Sequence, residues 1–128
     1  RLDRDRGPGG RTDDGALFDR VVISSYNPLA LWRVRRLNPG IPLGMLYDAH
    51  DQALPLVLRR PWLRHLMRPE ALHPAEAMVD GAHLRWARRR GFRVNTWTVD
   101  DPVEARRLAA AGLDGIITNR PDALLGAW

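Results

Sequence analysis

The sequence predicts an α/β fold of parallel strands alternating with helices, most consistent with part of a βα-barrel. Candidate strands start near residues 21, 43, 71, 94 and 115, and this spacing of roughly 20 to 28 residues suits one strand, one helix and two short loops. The run Val21-Val22-Ile23 is typical of a parallel strand covered on both faces. No glycine-rich phosphate loop follows any strand, which disfavours an open dinucleotide-binding sheet and favours a barrel.

The chain is expected to hold one partial domain behind a polar lead-in. Residues 1–15 are rich in Arg, Asp and Gly, so they cannot bury enough apolar surface to fold and are predicted to be disordered. Order is expected to begin near residues 16–18. The domain is therefore predicted to span residues 16–128.

A helix is predicted directly after the first strand. Asn27 can accept hydrogen bonds from the first free N–H groups, and Pro28 fits the first turn because that position needs no donor. The helix is expected to run to about Leu37 and to stop at residues 38–40, which read Asn-Pro-Gly. Its expected buried face comprises Ala30, Leu31, Val34 and Leu37, and its expected solvent face comprises Arg33, Arg35 and Arg36.

The remaining elements follow the same alternation. Strands are predicted at residues 42–46, 71–74 and 94–99. A helix from about Ala75 to Arg90 has the apolar stripe Met78, Val79, Ala82 and Trp86. The next helix has a capping box, with Asp101 as N-cap, Pro102 at the first position and Glu104 at the third, and it ends at Gly112.

Five candidate strands are too few to close an eight-stranded barrel. Two strand edges are therefore expected to be open unless further sequence or a partner chain covers them. This leaves self-association through open barrel edges as one expected interaction.

Charge and composition narrow the possible functions. The net charge is +5 and the pI is 11.1, with all 20 basic residues being Arg. The arginines are scattered over loops and predicted helix ends, where cations satisfy the helix dipole. A basic nucleic-acid-binding domain is consequently only the third alternative, and no nucleic-acid partner is expected.

The chain has no cysteine, which excludes disulfides, thiolate metal sites and cysteine nucleophiles. No apolar run reaches the length of a membrane-spanning helix, so no integral membrane segment is expected. No signal-peptide pattern opens the chain. Because the chain starts at Arg1, an upstream targeting segment stays open, and the compartment is unknown with the cytoplasm slightly favoured.

Candidate site residues lie where strands end, because side chains at the carboxyl ends of barrel strands converge on one face. This rule selects positions 24–26, 45–47, 73, 97, 100 and 118–120. Trp97 could form the wall of a pocket, and Arg120 is expected to cap or to be solvated. Serine catalysis is disfavoured because neither Ser24 nor Ser25 lies in a glycine-flanked elbow.

The histidines are expected to be structural. Asp48, His50 and Asp51 suggest a metal or acid–base trio, but their spacing matches no defined site and solvated turn chemistry is favoured. His65 and His83 are predicted on helix surfaces. His73 precedes a proline at a strand end and is expected to be buried or hydrogen-bonded.

Several segments together resemble the glycerophosphodiester phosphodiesterase family. Residues 21–28 are similar to a strand ending in Ser-Ser-Phe and Asn-Pro, with Tyr26 in place of Phe. Residues 39–46 resemble Pro-x-Ile-Pro-Leu-Gly-Leu-Leu. Residues 91–100 resemble Gly-x-x-Val-x-x-Trp-Thr-Val-Asn, and residues 112–121 resemble Gly-Val-Asp-Gly-Ile-Ile-Thr-Asp-Arg-Pro. The resemblance covers about residues 17–128 and corresponds to the C-terminal half of the family's domain.

The resemblance implies the C-terminal part of a TIM (β/α)8 barrel of the PLC-like phosphodiesterase type. Family enzymes hydrolyse glycerophosphodiesters to an alcohol and glycerol 3-phosphate, with a divalent metal (Ca or Mg) held by carboxylates and two histidines moving protons. Those residues belong to His-Arg-Gly, Glu-x-Asp, His-Asp and Glu-x-Lys motifs of the family's N-terminal half, which this chain lacks. His50-Asp51 follows the wrong strand to be that His-Asp pair.

The sequence therefore leads to the hypothesis of a phosphodiesterase fragment that contains neither catalytic residues nor metal ligands. Trp97 is expected to be a substrate-pocket wall, with Ser25 and Tyr26 on the same rim. The chain alone is expected to be inactive and to bind no metal. A non-catalytic half-barrel interaction module is the alternative that stays open.

Overall fold

The computed structural model describes residues 20–126. The predicted lead-in at residues 1–15 and the expected start of order at residues 16–18 lie outside this range. The strands are β1 (Ile23–Ser25), β2 (Leu43–Tyr47), β3 (Ala71–Pro74), β4 (Arg93–Thr96) and β5 (Gly115–Ile116). The helices are α1 (Pro28–Leu37), α2 (Arg64–Met67), α3 (Gly81–Arg89), α4 (Pro102–Ala110) and α5 (Pro121–Leu125), with 3-10 turns at Leu56–Leu58 and Glu76–Met78.

The five strands form one parallel sheet in the order β1-β2-β3-β4-β5. Sequential neighbours joined by helical segments are the arrangement of a βα-barrel and not of a doubly wound sheet, in which the strand order reverses. The predicted fold class, an α/β partial barrel with parallel strands, is confirmed.

The two faces of the sheet carry different residues because side chains alternate along a strand. On one face, Leu43, Met45, Tyr47, Leu72 and Val94 join the apolar core with residues of α1, α3 and α4. The opposite face, which is the inner face of a barrel, carries Gly44, Leu46, His73 and Asn95. The helices therefore cover one side of the sheet, while the other side carries the polar side chains of the candidate site.

The caps of α1 and α4 are formed by the residues that the sequence predicts. The Asn27 side chain accepts from the N–H groups of Leu29 and Ala30 at 2.9 and 3.3 Å. The Asp101 side chain accepts from the Val103 N–H at 2.8 Å. Gly112 follows α4 with φ of 96°, a conformation that favours glycine. These caps depend on contacts within four residues, which a sequence pattern can report.

The helix before β4 starts later than predicted. Residues 76–78 form a 3-10 turn, and α3 begins at Gly81 because the Asp80 side chain caps it by accepting the His83 N–H at 2.7 Å. The shift rotates the buried face, so that Ala82 is exposed while Leu84 and Ala87 are buried. The predicted stripe was wrong at Ala82 for this reason.

The prediction that Arg35 faces solvent is wrong. Its guanidinium donates to both carboxylate oxygens of Glu70 at 2.7 and 2.8 Å and to the carbonyl oxygens of Met67 and Arg68. Glu70 in turn accepts the Leu43 N–H at 2.7 Å. The prediction of a buried Leu37 is also wrong, because this last residue of α1 is 86% exposed.

The first strand is shorter and more exposed than predicted. It starts at Ile23, and Val21, Val22 and Ile23 are all exposed, at 42, 44 and 38%. The reason is that β1 pairs with β2 on one side only, at the edge of the described sheet. The β4 strand likewise ends at Thr96 instead of Val99.

Candidate functional site

Tyr26 and Trp97 meet at the carboxyl ends of β1 and β4. Their rings pack edge to face, with centroids 5.7 Å apart and planes at 89°, an arrangement favoured by the ring quadrupoles. Both side chains are half-buried. The structure therefore brings together two of the three predicted rim residues, which are 71 positions apart in the sequence, as an aromatic wall.

Trp97 is held by its neighbours on β3. Its indole Nε1–H donates to the His73 carbonyl oxygen at 2.7 Å, and its backbone N–H donates to Pro74 O at 3.3 Å. The Trp97 carbonyl oxygen accepts the Glu76 N–H at 2.7 Å, and the Trp97–Thr98 peptide bond is cis. The Nε1–H bond holds the indole ring against the end of β3, and the role of Trp97 as a pocket wall stays a prediction.

The Tyr26 hydroxyl stays protonated over the physiological pH range. Burial, together with the negative charges of Asp48 and Asp51, raises its pKa to about 12. Asp48 and Asp51 also accept backbone N–H groups of His50 and Ala53 at 2.9 and 2.8 Å. The carboxylates of the suggested metal trio thus serve in turns, as the sequence favours.

Ser25, the third predicted rim residue, has a local structural contact. Its hydroxyl oxygen accepts the Asn27 N–H at 3.0 Å and so orients the residue that caps α1. This contact places the hydroxyl beside the chain that leads from β1 into the helix. A substrate-binding role for Ser25 stays a prediction.

His73 lies on the inner face of the sheet and is fully buried. Its Nε2 lies 3.0 Å from Asn95 Nδ2, and burial lowers the pKa of its imidazole to about 4. If Nε2 accepts the amide proton, Nδ1 carries the other hydrogen, and Nδ1 is buried without a hydrogen-bond partner among the described residues. The prediction of a buried, hydrogen-bonded His73 is confirmed.

Asn95 is a site-facing residue that the sequence analysis did not single out. Strand alternation could have found it, because Asn95 lies on the inner face in register with Gly115. A side chain on Gly115 would collide with the Asn95 amide, since a Cβ there would lie 3.1 Å from Asn95 Cγ. The small residue therefore leaves room for the polar pair of Asn95 and His73.

Asp100 joins the ends of β4 and β5. Its Oδ1 accepts the Thr118 hydroxyl and the Asn119 N–H, both at 2.8 Å. These hydrogen bonds lower the pKa of the Asp100 carboxyl group. Arg120 immediately precedes α5 and pairs with Asp122 at 3.1 Å, which agrees with the structural role expected for Arg120.

His65 and His83, both predicted on helix surfaces, differ in their exposure. His65 is exposed on α2, as predicted. His83 is half-buried, and its Nε2 lies 2.7 Å from the Tyr47 hydroxyl oxygen. The surface prediction for His83 is wrong because α3 turns this residue toward the carboxyl end of β2.

Within residues 20–126, no group of three or more His, Cys, Asp or Glu side chains is arranged to hold a metal ion. The carboxylate of Asp100 already accepts from Thr118 and Asn119. The residues that the structure describes therefore do not form a metal centre by themselves. No helix of this described part is both long and apolar enough to cross a membrane.

Comparison with known proteins identifies related sequences. A model described as the glycerophosphoryl diester phosphodiesterase family matches residues 10–123. A glycerophosphodiester phosphodiesterase from Caldanaerobacter subterraneus is 32% identical over 108 residues, covering 84% of this chain and 42% of the relative. One from Bacillus subtilis is 26% identical over 113 residues, covering 80% of this chain and 34% of that relative.

Solved structures of phosphodiesterases are also similar to this chain. A phosphodiesterase from Oleispira antarctica, solved in complex with the product sn-glycerol-3-phosphate, is similar with a TM-score of 0.69 and 26% identity. The similarity covers 83% of this chain and 40% of that chain. A structure from Silicibacter pomeroyi gives a TM-score of 0.73 at 26% identity, with 90% and 39% covered. This chain thus spans less than half the length of these relatives.

Proposed function

Because this chain belongs to the glycerophosphoryl diester phosphodiesterase family, we propose that it forms the C-terminal half of a (β/α)8 barrel that hydrolyses glycerophosphodiesters. The products are an alcohol and glycerol 3-phosphate. Support comes from five parallel strands in barrel order and from the similarity to a phosphodiesterase solved with sn-glycerol-3-phosphate. The chain spans about 40% of that protein.

The observation that carries this proposal is the Tyr26–Trp97 wall. It stands at the carboxyl ends of β1 and β4, the face on which βα-barrels bind substrates. An indole ring can pack against the carbon skeleton of a glycerol moiety. The protonated Tyr26 hydroxyl can donate a hydrogen bond to an anionic oxygen, and Ser25 completes the rim.

We place the phosphodiester chemistry in the catalytic motifs of the family's N-terminal half, which are not among these 128 residues. A divalent ion such as Ca²⁺ or Mg²⁺ would neutralise phosphoryl charge there. His73 is neutral at pH 7 and only a weak proton acceptor, because burial lowers the pKa of its imidazole to about 4. The chain's own residues therefore shape and line the pocket.

An activity assay tests whether this chain contributes pocket residues but no catalytic residues. The 128-residue chain, incubated with glycerophosphocholine and calcium or magnesium, is expected to show no turnover, whereas the full-length gene product turns the substrate over. Robust turnover by the chain alone, abolished by a substitution within it, would overturn the proposal.

A second assay tests the wall. In the full-length gene product, Trp97→Ala is expected to raise KM for glycerophosphocholine about tenfold with a smaller change in kcat, because it removes binding shared by substrate and transition state. Trp97→Phe keeps an aromatic surface and is expected to retain most of the affinity. Equal KM values for all three proteins would remove Trp97 from the pocket.

A half-barrel interaction module is the second candidate, and the open edge at β1 favours it. Val21, Val22 and Ile23 are exposed beside a strand that pairs on one side only, which is a template for pairing with another strand. This candidate predicts a dimer or larger assembly of the 128-residue chain by light scattering. A stable, well-folded monomer at high concentration would contradict it.

A further inference from the structure

A cleft of about 620 Å³ lies on the helix-covered side of the sheet, between the segment that follows β2 and the start of α3. We name it the Arg60 cleft, after the exposed arginine at its rim. Among its lining residues are Arg60, Trp62, Arg64, Asp80, His83 and Trp86. Arg60 also lines a second, small cavity beside Tyr26, so it stands between the cleft and the aromatic wall.

The arginines that line the cleft, Arg60 and Arg64, outnumber its one acidic lining residue, Asp80. Residues 52–69 contain four arginines and no acidic residue. The ion pairs formed within residues 20–126 are Arg35–Glu70, Arg107–Glu104 and Arg120–Asp122, and none involves Arg60 or Arg64. Asp80 is the acidic residue among the lining residues, and its carboxylate accepts the His83 N–H as the cap of α3.

The Arg64 guanidinium is held in place by its neighbours but has one hydrogen-bond donor without an acceptor. Its Nη1 donates to the Pro61 carbonyl oxygen at 2.8 Å, and its guanidinium carbon lies 5.2 Å from the Trp86 ring centre. Its Nε is buried without a hydrogen-bond partner among the described residues. A buried donor that lacks an acceptor costs free energy, so Arg64 has hydrogen-bonding capacity that the described residues leave unused.

The two tryptophans of the cleft have different surroundings. The guanidinium carbons of Arg64 and Arg90 each lie 5.2 Å from the Trp86 ring centre, so this ring supports Arg64 at the cleft. Trp62 is 59% exposed. The cleft therefore combines guanidinium groups, which match the geometry of phosphate oxygens, with a surface on which carbon atoms can stack.

We propose that the Arg60 cleft binds a phosphate-ester anion, with Arg60 and Arg64 holding the phosphate and the exposed indole ring of Trp62 contacting its carbon skeleton. The ester is either a soluble metabolite or an anionic lipid head group. Leu56 and Leu66, in the same segment, are 68 and 60% exposed, which makes the lipid source a necessary arm of the test. This site does not depend on the proposed hydrolytic function.

Calorimetric titration of the full-length gene product tests the site, in EDTA so that metal-held phosphate does not contribute. Phenyl phosphate is expected to bind more tightly than inorganic phosphate because its ring contacts the exposed indole of Trp62. Arg60→Gln is expected to weaken both at least tenfold, about the loss of one charge-assisted hydrogen bond. The matched control, Arg89→Gln on the exposed side of α3, is expected to change either affinity less than about twofold.

A vesicle arm distinguishes the two sources. Co-sedimentation with phosphatidylglycerol vesicles but not with phosphatidylcholine vesicles, lost in Arg60→Gln, would identify the ester as a lipid head group. Phenyl phosphate binding without co-sedimentation would identify a soluble ester. Unchanged binding of both phosphates and of vesicles by a folded Arg60→Gln variant would overturn the proposal.

Trp62→Ala provides a second variant at an exposed side chain, in case Arg60→Gln lowers the unfolding midpoint. It is expected to weaken phenyl phosphate severalfold while sparing inorganic phosphate. Equal affinity of wild type and Trp62→Ala for phenyl phosphate would overturn the proposal as well. Turnover of glycerophosphocholine is measured separately, so the failure of one proposal is not read as the failure of the other.

Discussion

The middle and the edge of the sheet differ in how far the chain covers them. Every residue of β3 and four of the five residues of β2 are buried, whereas none of the three residues of β1 is. Middle strands are stabilised by two neighbours and by helices, while an edge strand leaves pairing groups open. Among residues 20–126, helices cover the middle strands, while the outer edge of β1 has no pairing strand and is open to further sequence or a partner.

The largest expected difference is between Leu43 and Ile23, which are register partners on β2 and β1. Leu43 is fully buried and Ile23 is 38% exposed. Leu43→Ala is expected to lower the free energy of unfolding by about 2–5 kcal/mol, and Ile23→Ala by about 1 kcal/mol, because only Leu43 leaves a closed cavity. Urea unfolding measures both. Equal losses would show that other parts of the protein cover β1.

The pH dependence of the unfolding free energy tests whether His73 is buried in the middle of the sheet. The pKa of its imidazole is about 4 in the folded protein against 6.5 as the ordinary value, so the unfolded chain binds more protons between these values. Stability is therefore complete above pH 6.5 and is lost as the pH falls towards 4, by on the order of 3 kcal/mol. The lowered pKa of His83 acts in the same direction.

The control for this titration is His73→Asn, which removes the titrating group. Its unfolding free energy is expected to change much less between pH 6.5 and pH 4 than that of the wild type. An unaltered slope in His73→Asn would show that another group causes the acid sensitivity.

A smaller effect is expected from the glycine beneath His73. A Cβ on Gly44 would lie 2.6 Å from His73 Nε2, and the ring is confined by burial and by Asn95. Gly44→Ala is expected to destabilise the protein by about 1–3 kcal/mol through overpacking. Gly40→Ala is the matched control, because its closest contact would be an ordinary 3.4 Å from Asn38. A thermal unfolding midpoint for Gly44→Ala equal to that of Gly40→Ala would contradict the expected collision.

The smallest expected difference in unfolding free energy is between variants of two Arg–Glu pairs. Glu70 binds Arg35 and also accepts the N–H of Leu43 at the start of β2, while Glu104 pairs with Arg107 on the surface of α4. Glu70→Gln is expected to cost about 1–2 kcal/mol in unfolding free energy because a hydrogen-bonded charge is removed from a sheet junction. Glu104→Gln is expected to cost below about 0.5 kcal/mol. Equal midpoints in urea would show that the Glu70 bonds add no stability.

The sequence was informative where the deciding contacts are short-range. Asn27 and Asp101 cap their helices through the next two or three residues, and Gly112 ends α4 through its own backbone conformation. The spacing of strand starts and the motif around Trp97 led to the barrel and to the family. These features depend on backbone geometry over a few residues, so no distant partner is needed to specify them.

Tertiary structure decided the features that depend on residues far apart in the chain. Packing of α1 near β3 turns Arg35 inward to Glu70, and the capping of α3 by Asp80 turns His83 toward Tyr47. The candidate site also depends on residues that are far apart in the chain. The sequence predicted Trp97 and Tyr26 on the same rim, but only the packing of the parallel sheet placed their rings in edge-to-face contact. Sequence periodicity reports which face of an element is apolar, whereas the partner across that face is fixed by how the elements pack.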